Sequence, residues 1–358
     1  MHQVIIIGTS PLAIVESIYL RKKGKSILNI DDKKVPGGAW VTVKYPDIPE
    51  VEIGCHVWSY NRKTYDWLEE FFQMNLGVHE SQPKIIYKNK FIPYDLKANV
   101  LSVKAIIQNS LKFNFEFLKS IRSKPDIRFS LLPAKYKYPI KGAKDIHFNV
   151  KRLIEKNQLE LLMDNLVEVV KVVKNGGQLI LEGGKVVPFC EELVLTSLSR
   201  IKRFEFEDGS SYAPTYREVN YIHRHLIIKG NIRKRFSYLR LMNDKVIHRI
   251  SDMTSQVKGE LPDGQLLICV GLFEESYNSM SEREQEDYIL SNMKQHKLVS
   301  PDATVLNSDS NVFPSFYTPS KAFEEITRRS NSKIRFLRST DFVYSFYNQL
   351  QRYSSLLD

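Results

Sequence analysis

The sequence predicts an α/β fold in which a domain built on a parallel sheet is interrupted by an α+β domain carrying an antiparallel sheet. Three observations predict it. The chain opens on an apolar run, Val4-Ile5-Ile6-Ile7, that stops at Gly8 and leads into a helix signal. A second apolar run, Ile27-Leu28-Asn29-Ile30, ends in the acid Asp31. Much later, strand-like segments recur at 218–228, 236–241, 245–251 and 265–271 and supply a second domain.

Each element follows from local chemistry. A continuous apolar run suits a buried parallel strand. The tight turn at its end presents backbone N–H groups which, with the positive end of the next helix, cradle a pyrophosphate. Ser10 can cap that helix, and Pro11 suits its first position, where the missing N–H has no partner anyway. Leu12, Val15, Ile18 and Tyr19 form the apolar stripe, and Gly24 ends the helix after Arg21, Lys22 and Lys23. The glycine fingerprint of dinucleotide sites, G-x-G-x-x-G, stands here as Gly8-x-Ser10-x-x-Ala13. Alanine at the third place costs little, whereas serine at the second puts a Cβ where phosphate approaches the backbone. Asp31, at the tip of the second strand, is placed to hold a ribose hydroxyl pair, with Asp32 beside it. Gly8, Ser10, Pro11, Leu12, Asp31 and Asp32 are therefore candidate nucleotide-binding residues of a Rossmann-like domain. A buried strand-helix-strand unit with no ligand would show the same local pattern.

Gly37-Gly38 follow Asp31 by six and seven residues. In this the chain resembles the superfamily of flavin amine oxidases, protoporphyrinogen oxidases and UDP-galactopyranose mutases, in which an acid binding the adenosine ribose of FAD precedes a Gly-Gly pair at that spacing. The segment Glu52-Ile53-Gly54-Cys55-His56-Val57-Trp58, with Tyr65 to Phe72 after it, is similar to the family's Gly-x-His element ahead of a helix near the flavin. Ile85 to Tyr94 resembles the paired short strands that come next. Tyr138-Pro139-Ile140-Lys141-Gly142-Ala143, a helix through Ile154 and the strand Leu166 to Val170 are similar to the stretch returning the chain to the flavin sheet. The hairpin signal Asn175-Gly176-Gly177 and the run Glu192 to Thr196 continue it. Near the C-terminus, Arg338 and Tyr344 sit where the mutases carry an arginine and a tyrosine, while Leu337 and Thr340 stand in place of glycines.

The resemblance implies an FAD/NAD(P)-binding Rossmann-like domain and FAD as cofactor. It extends the cofactor-binding candidates to Gly37, Gly38, Ala39, Trp40, Val167 (through its backbone, to adenine), Arg338 and Tyr344. It divides the chain into a discontinuous FAD-binding domain over 1–60, 160–206 and 320–358 and a substrate domain over 61–159 and 207–319. Ser10, Leu337 and Thr340 depart from the pattern at places where family backbones approach the cofactor closely, which leaves the strength of FAD binding open.

Composition fits this scale. With 358 residues and 42% hydrophobic content, the chain exceeds the usual length of a single core. Helix-like stretches at 65–76 and 100–121 join the strand-like ones, and only the cluster Glu207-Asp208-Gly209-Ser210-Ser211 reads as a flexible boundary. Cys55, Cys190 and Cys269 are too few and too scattered for a disulfide framework or a zinc site, so a reducing, cytoplasmic setting is expected. Gly8, Pro11 and Glu16 break the first apolar run long before it could span a bilayer. The formal charge is +11, from 52 Lys and Arg against 41 Asp and Glu. Such an excess concentrates anions. Its densest clusters, Ile232 to Arg235 and His223-Arg224-His225, read as solvated sheet faces and turns. No nucleic-acid module is present, and a small anionic substrate suits the resemblance better.

The catalytic candidates are His56, Arg249 and Tyr317. In the resembling proteins the Gly-x-His segment lies beside the isoalloxazine, an alternating strand like that of Arg249 faces substrate, and a Tyr-Pro element like Tyr317-Thr318-Pro319 lies near the sugar phosphates. Each residue has a bland alternative, since a histidine beside Val57 and Trp58 is often a core residue and strand residues are often sheet surface. Trp40 equally suits covering the flavin or ordinary packing. There is no G-x-S-x-G, no Walker lysine and no H-E-x-x-H, which leaves hydrolase and kinase readings without support. Three functions stay open: an FAD-dependent oxidoreductase of the amine oxidase or desaturase kind, which is favoured; a mutase-like flavoenzyme rearranging a nucleotide sugar; and a non-catalytic binding subunit that retains the fold.

Overall fold

In a computed structural model of the chain, the described residues are 2–53, 62–80, 84–87, 90–93, 135–197, 200–234, 236–241, 244–317, 320–337, 346 and 349–357. The chain begins with β1 (His2–Ile7), α1 (Pro11–Lys22) and β2 (Ile27–Ile30), followed by the short strands β3 (Thr42–Val43) and β4 (Val51–Glu52). Next come α2 (Arg62–Phe72), β5 (Leu76–Glu80), β6 (Lys84–Tyr87), β7 (Lys90–Pro93), β8 (Lys135–Pro139) and α3 (Ala143–Lys156). The chain returns through β9 (Glu160–Leu162), β10 (Val167–Val173), β11 (Gly176–Leu181), β12 (Val186–Leu195), β13 (Arg203–Glu205) and β14 (Ser211–Tyr212). The strands β15 (Arg217–Lys229), β16 (Tyr238–Leu241), β17 (Ile247–Asp252) and β18 (Gln265–Leu272) lead to α4 (Glu274–Ser279), α5 (Glu282–Gln295) and β19 (Thr304–Tyr317). Last are α6 (Ser320–Arg329), β20 (Ile334–Phe336) and α7 (Leu350–Tyr353).

Two sheets organise the molecule. The first runs β14-β13-β10-β11-β12-β1-β2-β9, with β20 also paired to β12. Its centre is parallel: Ile7 lies opposite both Ile30 and Leu195, Ile30 opposite Leu162, and Leu195 opposite Phe336. Strands buried on both faces leave their ligand-accessible groups at the carboxyl ends, which here form one row. On one face of this sheet α1, α2 and α3 share a core, in which Leu12, Val15 and Ile18 pack with Tyr65, Leu68, Phe72, Ile146 and Val150. The second sheet runs β19-β15-β18-β17-β16-β6-β7. One of its faces packs Leu226, Ile228, Ile268 and Val270 against Ile289 and Met293 of α5. Its other face meets the β3–β4 segment, where Val51 and Ile48 pack on Ile227, Leu267 and Cys269.

Several sequence expectations are corrected by this architecture. The helix read over 65–76 stops at Phe72, because Gln73 turns left-handed at φ 52° and Leu76 starts a strand. The cluster Glu207 to Ser211 is no linker: Phe206 N–H donates to Ser210 O at 2.9 Å, making the tight turn between β13 and β14. His223-Arg224-His225 is not a solvated face, since all three residues are buried in the middle of β15. The helix read over 100–121 lies outside the described residues.

Candidate functional site

The row at the carboxyl edge is built from the first turn outward. Gly8 stands at φ 116°, and a Cβ there would lie 2.1 Å from Thr196 Oγ1, so only glycine lets β1 turn this tightly beside β12. Ser10 Oγ accepts from Ala13 N–H at 3.4 Å and Pro11 opens α1, as their positions predict. Leu12 sends its side chain into the core, which leaves its backbone to the crevice.

Asp31 lies at the end of β2 and is almost wholly buried. Its Oδ2 accepts from Thr9 Oγ1 at 2.5 Å, and its Oδ1 accepts from Lys33 N–H at 3.0 Å. Burial raises the carboxyl pKa above its ordinary value, and these hydrogen bonds only partly offset that. Asp32 is half-buried and pairs with Arg200 at 3.1 Å. Gly37 N–H donates to Thr9 O at 3.1 Å and to Thr9 Oγ1 at 3.3 Å, which ties the Gly-Gly loop to the first turn. Gly38 adopts φ 62°, and a Cβ there would lie 3.2 Å from Ser10 Cβ. Ala39 is exposed, whereas Trp40 is buried in the core beside α1. Val167 opens β10 with its side chain buried, and the preceding Asn165 N–H donates to Asp31 O at 3.0 Å.

These residues answer whether an adenine dinucleotide fits. Serine at the second fingerprint place carries a Cβ, but that Cβ packs against Gly38, so the Gly-Gly pair supplies the room that the missing glycine would have left. Leu337, in place of a family glycine, is buried in the core and donates its N–H to Leu195 O at 2.8 Å. The turn, the acid and the loop thus fit the adenosine and pyrophosphate half of FAD.

Facing this edge is a polar stretch of the second sheet. The strand registers set two rungs on the face that meets the β3–β4 segment. One holds Tyr238, Ser251, Cys269, His225 and Asp309; the other holds Arg240, Arg249, Gly271, His223 and Asn311. Arg249 is half-buried and its guanidinium contacts His223 Nε2, which requires a neutral imidazole accepting there. Gly271 leaves room that the His248 ring uses, since a Cβ would come within 2.5 Å of it. His225 Nδ1 meets Tyr45 Oη at 3.3 Å. Burial drives the His225 pKa down to about 4, and burial followed by the nearby Asp309 carboxylate pushes the Tyr45 phenol up. Lys33 Nζ lies 5.9 Å from the centre of the Phe313 ring, which joins the segment after β2 to β19. Donors dominate this face, which suits an anionic or richly hydroxylated ligand.

Of the other sequence candidates, Tyr317 ends β19 opposite Arg217. His56, Arg338 and Tyr344 lie outside the described residues. Thr9, Thr196, Tyr45, His223, His225 and Arg240 also line these two surfaces, although the sequence does not mark them as site residues. The unbroken apolar run Leu226-Ile227-Ile228 was the available signal that β15 is buried on both faces.

A Rossmann-like parallel sheet, interrupted by an antiparallel sheet that returns a polar face to its carboxyl edge, defines the class of fold. No family model and no curated protein matches the chain. Solved structures do. The chain is similar to reduced UDP-galactopyranose mutase, with TM-score 0.70 and 14% identity over 100% of this chain and 96% of that one. It is also similar to putrescine oxidase bound to putrescine, with TM-score 0.63 and 13% identity over 99% of each chain. A fatty acid isomerase from P. acnes gives TM-score 0.57 and 10% identity over 98% of each. The fold expected from the sequence resemblance is therefore the fold observed.

Proposed function

We propose that the chain is an FAD-dependent oxidoreductase acting on a small polar or anionic substrate. The observation that carries this reading is the hydrogen-bonded assembly of Thr9, Asp31 and Gly37 at the carboxyl edge of the parallel sheet, with Lys33 Nζ over the Phe313 ring of the facing sheet. The backbone from Gly8 to Leu12 and the start of α1 would hold the pyrophosphate, Asp31 the ribose diol and the Val167 backbone the adenine. The flavin, when bound, supplies two-electron chemistry, and the protein supplies position and exclusion of water. Arg249 orients an anionic group of the substrate, and its contact with His223 fixes the guanidinium. His225 stays neutral at physiological pH and offers a hydrogen bond without adding charge to the face. His56 and Tyr317 are proposed to line the same site, as the resemblance implies.

A second reading has one specific observation behind it. Arg240 and Arg249 are opposite each other across β16 and β17, a pairing that suits the two phosphates of a nucleotide sugar and so a mutase-like flavoenzyme. Purified protein should carry flavin absorption near about 450 nm. Oxygen consumption with an amine or an unsaturated substrate supports the oxidoreductase; sugar isomerisation that needs prior reduction supports the mutase. Protein that takes up no flavin from excess FAD would overturn both and leave a binding subunit.

A further inference from the structure

We infer that Thr9 is a cofactor-positioning residue: its hydroxyl joins the Gly37 N–H to the Asp31 carboxylate, so that the ribose-binding acid and the Gly-Gly loop are held as one unit. The inference rests on the FAD reading above. Thr9 is wholly buried, and its single hydroxyl proton goes to Asp31 Oδ2 at 2.5 Å. Its lone pair then accepts from Gly37 N–H at 3.3 Å, beside the bond that the same N–H makes to Thr9 O at 3.1 Å. A threonine hydroxyl donates once and accepts up to twice, so both interactions fit one rotamer.

The consequence for Asp31 is orientation. An aspartate is one methylene shorter than a glutamate and has less reach toward a ribose. Oδ2 is held by the Thr9 hydroxyl and Oδ1 by Lys33 N–H, and the Thr9 backbone N–H also donates to the carboxylate. A carboxylate accepts about four hydrogen bonds, so one fixed direction is left for a ribose hydroxyl. The consequence for the loop is rigidity. Gly37 sits at φ 130°, and a Cβ there would lie 3.1 Å from Val41 Cγ1, so the loop follows a narrow path whose start is pinned on Thr9. Gly38, next along that path, makes the room for Ser10. Thr9 thereby compensates for the altered fingerprint by fixing both neighbours of the pyrophosphate turn.

Flavin-fluorescence titration of the apoprotein with FAD tests this on wild type, Thr9→Val, Thr9→Ser and Asp31→Ala. Valine is isosteric and lacks the hydroxyl, and it should weaken FAD about tenfold or more, as for a buried hydrogen bond to a charged group. Serine should restore affinity to within a few-fold. Thr9→Val added to Asp31→Ala should cost little further, because the hydroxyl acts through the carboxylate. Thr9→Val binding FAD as tightly as wild type, or more tightly, would overturn the inference, the latter showing that Thr9 competes with the ribose. Amide hydrogen exchange at Gly37 in the wild-type protein gives a readout that needs no variant: FAD should slow it, and unchanged exchange would also overturn the relay. Wild-type protein that binds no FAD would instead remove the functional reading on which the inference stands.

Discussion

Glu16→Gln tests what holds α1 in place. Glu16 lies in the middle of α1 with no solvent exposure. Its Oε1 accepts from Arg335 Nη2 at 2.6 Å and from Arg352 Nη2 at 2.5 Å, and its Oε2 accepts from Tyr353 Oη at 2.6 Å. Burial and then the Glu16 charge hold the Tyr353 phenol far above its usual range. Removing one partner of a buried ion pair costs about 3–5 kcal/mol, because the charge left behind is uncompensated. Two features place this case at the low end. Arg335 keeps Glu192 at 2.7 Å, and the Arg352 side chain is 34% exposed, where solvent screens it. A loss of about 3 kcal/mol, at roughly 2–4 °C per kcal/mol for long chains, lowers Tm by about 6–12 °C. Urea denaturation followed by circular dichroism measures the loss, and a double-mutant cycle with Arg352→Met should return a coupling of about 1 kcal/mol or more. Glu16→Gln within about 0.5 kcal/mol of wild type would refute the reasoning, since surface changes alone do that much.

The other predictions concern the two halves of the site. Asp31→Ala should lose FAD during purification while keeping a weakened affinity that titration still measures; in the wild type, FAD affinity should fall on acidification at a pH above the ordinary aspartate value of 3.8, because burial raises this carboxyl and the protonated form accepts less well from the ribose. His225 is held neutral with its pKa near 4 against 6.5 when unfolded, so stability is intact above about pH 6.5 and is lost as pH falls toward 4, by up to roughly 3 kcal/mol. His225→Gln should flatten that part of the stability profile, measured by urea melts across pH. Gly8→Ala should destabilise by at least about 2 kcal/mol and expel flavin, and Thr196→Ala in the same chain should recover only part, because the clash is relieved while φ 116° stays strained. Arg249→Met should raise the KM for an anionic substrate by about 10–100-fold at unchanged flavin content, the loss expected for a charge-assisted hydrogen bond.

Legibility in the sequence follows the range of the interactions. The β1-α1-β2 unit is legible because a buried strand is a continuous apolar run and because Gly8, Ser10, Pro11 and Gly24 each mark a local conformational need. The partners of Asp31 are not legible as partners. Thr9 is a variable letter of the fingerprint, and only the closing of the turn brings its hydroxyl onto the carboxylate. Glu16 stands out as an acid within a helix of buried residues, but its partners Arg335 and Arg352 lie 319 and 336 positions away. His223-Arg224-His225 shows how local reading fails on a strand. Three adjacent basic residues suggest solvent, yet strand alternation sends the two histidines toward the β3–β4 segment and Arg224 toward α5. There its guanidinium donates to Glu282 O at 3.2 Å and lies 3.5 Å from the Glu282 carboxylate.

The segment from Gly37 to Glu52 bears on how the two halves of the proposed site depend on each other. At its start, Gly37 is bonded to Thr9 and Gly38 packs on Ser10, so it belongs to the turn after β1. Eight residues after Gly37, Tyr45 meets His225 on the polar sheet face, and Ile48 and Val51 pack with Cys269 and Leu267. At its end, Glu52 accepts from Tyr138 Oη at 2.5 Å and from Gln256 Nε2 at 3.4 Å, which fastens the segment to β8 and to the turn after β17. Because the segment is fastened at Gly37, at Tyr45 and at Glu52, FAD binding at the Gly-Gly loop should order the sheet face as well. Amide exchange in β15 and β18 should slow when FAD binds, although no cofactor atom need touch either strand. Tyr45→Phe, which keeps the packing and removes the contact with His225, should weaken that slowing in β15 while leaving protection at Gly37 intact. Equal protection of β15 with and without FAD would mean that the two surfaces are merely adjacent, and that substrate selection on the antiparallel sheet proceeds without reference to the cofactor.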